Sequence, residues 1–146
     1  MQILMMLGLA MAAPVEPVTH DVVVEHQGIP LNVTYRADVD MSAKTVRMVL
    51  PSRVKMEQCR WTADVTVERQ VARKGARPAL TRTLEGSKTI RGMRHGYCST
   101  SVAREQIAEA VAGKADAVKE HLMAVAEQDR PQLIADLEAA RSLASR

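Results

Sequence analysis

The chain has 146 residues, 47% of them hydrophobic and only 2% aromatic, with a formal net charge of +3. That length suits one domain, and a domain of this size buries roughly two thirds of the surface its unfolded chain exposes. With no Phe, one Trp and two Tyr, the core must be built from Val, Leu, Ile, Met and Ala. Nucleobase stacking, worth about 1–3 kcal/mol per base, needs exposed rings that this chain lacks, so no nucleic-acid partner is expected.

Residues 1–13 carry no charge, and residues 3–11 are nearly all apolar. The run is shorter than the roughly 20 apolar residues that span a bilayer. Ala10-Met11-Ala12 then offers the small-x-small pattern of a signal-peptidase site, although no Lys or Arg precedes the run. Pro14 and Pro17 end any helix begun there. The organisation read from this is a signal peptide over residues 1–12, a short linker over 13–18, and one α+β domain over 19–146.

Residues 19–26, with Val22-Val23-Val24, read as a strand, and Gln27-Gly28-Ile29-Pro30 as a turn. Val33, Tyr35, Ala37 and Val39 alternate with polar residues, as a half-buried strand requires. Val46, Met48 and Leu50 repeat the pattern up to Pro51. The clearest strand is residues 58–71: Cys59, Trp61, Ala63, Val65 and Val67 share one face, and Arg60, Thr62, Asp64, Thr66 and Glu68 the other. Residues 73–78 form a loop, residues 80–85 a shorter strand, and Gly86-Ser87 a turn into residues 88–93. The expected sheet is an antiparallel meander of five or six strands.

Beyond Cys98 the period changes. Ser99, Thr100 and Ser101 are N-cap candidates. Ile107, Val111, Val118, Leu122 and Val125 fall along one helical stripe, with a break or kink expected at Gly113, where glycine costs about 1 kcal/mol against alanine. Asp129, with Gln132 three residues later, reads as a capping box opening a last helix. The helices are expected to form a hairpin over the dry face of the sheet.

Cys59 and Cys98, an even pair in an exported chain, are expected to be disulfide-bonded. Their loop entropy corresponds to about 4 kcal/mol in the chain-entropy model. Residues 44–94 hold 13 basic and 4 acidic residues, a net of +9. Within them, Arg69, Arg73, Lys74 and Arg77 gather around one loop, and Arg91, Arg94 and His95 precede the helices. Arg73, Lys74, Arg77, Arg91, Arg94 and His95 are therefore the candidate anion-binding residues. A potential of one sign attracts anionic partners and speeds their encounter.

No Gly-rich phosphate loop, HExxH or GxSxG occurs. His95 and Cys98 would suit a base and a nucleophile only if the thiol were free. His20 and His26 with Asp21 and Glu25 make a poor metal set, and two cysteines without clustered histidines make a poor zinc site. No catalytic residue, metal or cofactor is assigned. The expectation is an exported, periplasmic or secreted, non-enzymatic envelope protein that binds an anionic lipid or envelope polymer. A protein-interaction or inhibitor module probing with the loop around Gly75 is the alternative, and a divergent hydrolase the third reading.

Overall fold

The valine-rich segment at the start forms β1 (Thr19–His26), and a computed structural model describes the chain from residue 17 to residue 145. The signal-peptide reading and most of the linker fall outside the described residues. Gln27 and Gly28 turn the chain with φ of 54° and 78°, the two positive values that suit the twist of a two-residue hairpin. β2 (Ile29–Val49), β3 (Lys55–Arg73) and β4 (Leu80–His95) follow, all antiparallel, in the spatial order β1-β2-β3-β4.

The sheet thus has four strands, not five or six. Residues 33–39 and 46–50 belong to one strand, because β2 stays in unbroken register with β3 from Leu31↔Arg73 to Val49↔Lys55. No Gly or Pro stands between Leu31 and Leu50 to interrupt it. Likewise Gly86-Ser87 is no turn. The pairing shifts between Val65 and Val67, and Gly86 takes a φ of 98° to accommodate extra residues on β4. That is a bulge, and the strand resumes after it.

Thr100 caps α1 (Ser101–Ala112), its hydroxyl accepting from the Ala103 N–H at 3.1 Å, and Gly113 ends it. α2 (Ala115–Ala144) then runs through Asp129 and Pro131 without stopping. Asp129 is not a cap. The apolar stripe Val118, Leu122, Val125, Leu133, Leu137 passes straight through position 129, and the carboxylate is buried in it. The helices do not make the expected hairpin: α2 lies against all four strands, and α1 does not pack along it.

The dry face carries Val33, Tyr35, Ala37, Trp61, Ala63, Val65, Val67 and Ile90, packed with Val118, Leu122 and Leu133 of α2. Cys59, wholly buried, is bonded to Cys98 with the Cα atoms 5.0 Å apart. The bridge ties β3 to the segment that enters α1.

Candidate anion-binding surface and a buried ion-pair network

The six candidate residues, five cations and His95, do not form one site. Arg73 ends β3 opposite Leu31 rather than opening the loop, and Lys74 and Arg77 follow it in the β3–β4 loop, all three exposed. Arg91 and His95 lie toward the other end, opposite Thr62 and Gln58. Arg60, near that other end, is thirteen steps along β3 from Arg73, roughly 40 Å at the usual rise. Exposed charges cooperate over about a Debye length, roughly 8 Å at physiological salt, so the two groups act separately. Arg94, half-buried and opposite Cys59, has the facing of the dry side and is divided by strand alternation from Arg91 and His95.

What the structure does bring together is on the wet face. Lys44 stands directly opposite Arg60, and Arg91, opposite Thr62, is one diagonal step away. Such diagonal neighbours are about 7–8 Å apart, still within reach of long side chains. Arg60 and Arg91 flank a shallow hollow of about 390 Å³ whose lining is completed by Trp61, Thr62, Gly92 and Met93. On the opposite, dry face Gly92 lets the Trp61 indole lie across β4, because a Cβ there would overlap the ring. A glycine inside a strand pattern signals such close approach, and that signal could have marked this contact. Buried Gln58 holds Arg60, accepting from Nε at 3.2 Å, and itself donates to Met93 Sδ at 3.0 Å.

Among the described residues none of Lys44, Arg60 and Arg91 has an acidic partner. The nearest acids on that face, Asp40 and Asp64, lie beyond the hydroxyl row in which Ser42 and Thr62 meet at 2.7 Å. Asp64 is engaged by the Thr89 hydroxyl at 2.6 Å.

Arg69 belongs to a different arrangement. Only 2% exposed, it is no loop cation but the centre of a buried network. Its Nη1 donates to both carboxylate oxygens of Asp129, at 2.8 and 2.7 Å, and its Nη2 donates to Asp136. Arg82, its neighbour on β4, reaches Asp136 at 2.9 Å, and the Tyr35 hydroxyl donates to Asp129 at 2.9 Å. Burial opposes the Arg69 charge, but the two carboxylates outweigh it and raise its pKa. Burial, followed by the hydrogen bond to Asp129, pushes the Tyr35 phenol up. Burial would raise the Asp136 pKa, yet bonds from Gln132, Arg69 and Arg82 bring it down to about 2. These groups hold one another, and they clamp α2 to the sheet.

Cys98 is spent in the disulfide, so no thiol pairs with His95. Among the described residues no three His, Cys, Asp or Glu side chains gather as a metal site. A hollow of about 610 Å³ between the α2 C-terminal end and the sheet is mostly apolar, with Leu31, Val71, Leu80 and Leu137 in its walls. No protein-family model, curated protein or solved structure matches this chain.

Proposed function

We propose that this is an exported cell-envelope protein that binds an anionic partner without catalysis, and that Arg60 and Arg91 make the contact. One observation carries the reading: two exposed guanidiniums flank one hollow, beside Lys44, with no acidic partner among the described residues. An arginine fork matches phosphate and carboxylate oxygens and is weakly hydrated. Like charges directly opposite on neighbouring strands are destabilising, and an anion seated on them offsets that cost. Export is supported by the uncharged apolar leader sequence and by the disulfide, which persists in oxidising compartments.

The test uses disulfide-intact protein recovered from the envelope, whose N-terminal residue, expected at Ala13, checks export. Vesicles containing phosphatidylglycerol and an acidic polysaccharide in solution separate the lipid from the polymer source. Binding to one of them is expected to weaken with salt and to fall at least about tenfold in Arg60→Glu/Arg91→Glu. Reversal at Arg73, Lys74 and Arg77 is expected to matter less. Binding indifferent to salt and to Arg60 and Arg91 sinks the proposal. The protein-interaction reading then moves ahead, supported by the wholly exposed loop around Gly75.

A further inference from the structure

One edge of the sheet is defended and the other is not. β4 is broken by the bulge at Gly86, and Arg82, Lys88, Arg91 and Arg94 outnumber Glu85 along it. Bulges and charges of this kind prevent edge-to-edge pairing. β2 has no bulge in its register with β3, and its exposed charges past β1, Asp40, Lys44 and Arg47, are of both signs. β1 reaches only as far as Thr19, opposite Arg36, followed by the Ala37 N–H donating to the Val18 carbonyl at 3.0 Å. Past that point nothing among the described residues pairs with this side of β2, which continues to Val49. The alternation of a strand places the N–H and C=O of Val39, Met41, Ala43, Thr45 and Arg47 on the same side as those of Ala37.

The side chains along this edge are self-complementary. On the wet face Asp40 is opposite Asp64, and four residues on Lys44 is opposite Arg60. Each is a like-charge pair, unfavourable within one chain. The two pairs are symmetric about Ser42. A second copy laid antiparallel with its Ser42 across from this one sets Asp40 against Lys44 twice. Each row then reads Asp64, Asp40, Lys44, Arg60, with the last two from the second copy: two acids facing two bases. In this register Met41 and Ala43 exchange main-chain hydrogen bonds across the edge. On the other face Val39 and Met41, 39% and 50% exposed although they have the facing of the core, gain cover.

We infer that β2 pairs with β2 of a second copy about Ser42, joining two four-stranded sheets into one across a two-fold axis. An interface of this kind is isologous, the same patch serving both partners. The chain's own leader is a poor occupant of the edge. Continued antiparallel from β1, it would set Pro14 opposite Met41, where the ladder needs an N–H that a proline lacks.

Sedimentation of the disulfide-intact chain without its leader, over a wide concentration range, reads the association. Amide exchange at Met41 and Ala43 reads the edge. The expected result is a reversible dimer whose Met41 and Ala43 amides are protected when concentrated and exposed when dilute. Asp40→Lys and Lys44→Asp should each weaken it by about tenfold, since two opposite-charge pairs become like-charge pairs. The double variant Asp40→Lys/Lys44→Asp should dimerise again. These positions are exposed, so the fold tolerates the changes, and the double variant's recovery is a check that it does. A monomer at every concentration overturns the inference. So does a dimer indifferent to Asp40 and Lys44. Met41 protection independent of concentration assigns the edge to residues 13–16 and also overturns it.

Discussion

Arg69 and Asp129 are each less than 10% exposed and hold opposite charges in the middle of an apolar layer. Removing two ions from water costs several kcal/mol each, and such a pair survives only when both are well bonded. Tyr35 and Asp136 supply further bonds here, and only the buried Arg69 Nε of this pair is left without a partner among the described residues. Asp129→Ala is expected to lower stability by about 3–5 kcal/mol, because it strands the Arg69 charge, whereas the double variant Arg69→Met/Asp129→Leu should lose much less. Urea unfolding of the three proteins checks this, and a double variant as weak as the single would contradict it. Asp136 adds a pH dependence of known sign. Its folded pKa is about 2 against an ordinary 3.8, so its contribution is fully present above the ordinary value and is lost as pH falls from there toward 2. Unfolding followed across that window should show a steep loss in the native chain and a shallower one in Asp136→Asn.

At the scale of the elements, Pro131 sits inside α2, exposed, where it cannot donate to the Glu127 carbonyl. A proline in a helix interior costs about 3 kcal/mol. The helix tolerates it because Leu133 and Leu137 beyond it are buried and Asp129 before it is clamped. Pro131→Ala is therefore expected to raise stability by about 1–3 kcal/mol, seen as a higher melting temperature. A lower one would mean that the proline aims Asp129 at Arg69. The same residue explains one misreading of the sequence. Pro131 and the Asp129–Gln132 spacing imitate a helix start, and only burial of position 129 in the stripe reveals a continuing helix. Alternation located β3 and the first part of β2, where one face is buried in the core. It could not show that residues 41–45 continue β2 or that Gly86 is a bulge, since both depend on which strand lies alongside.

For the whole molecule, the net +9 of residues 44–94 was legible, but its spatial meaning was not. Strand parity alone groups Arg60 with Arg91 and separates Arg94, once the β3–β4 register is known. The same parity places Arg69 with Cys59, Trp61 and Val67, which marks it as buried rather than as a member of the loop cluster. The hollow between Arg60 and Arg91 needs β3 and β4 side by side, a pairing between strands that no local pattern contains. The most direct test of the central claim is nuclear magnetic resonance mapping of backbone and arginine side-chain shifts during titration with a soluble phosphatidylglycerol headgroup. The account predicts saturable shifts at Arg60, Thr62, Arg91, Gly92 and Met93, all diminished by salt. Shifts confined to residues 73–77, or none on the wet face of β3 and β4, would contradict it.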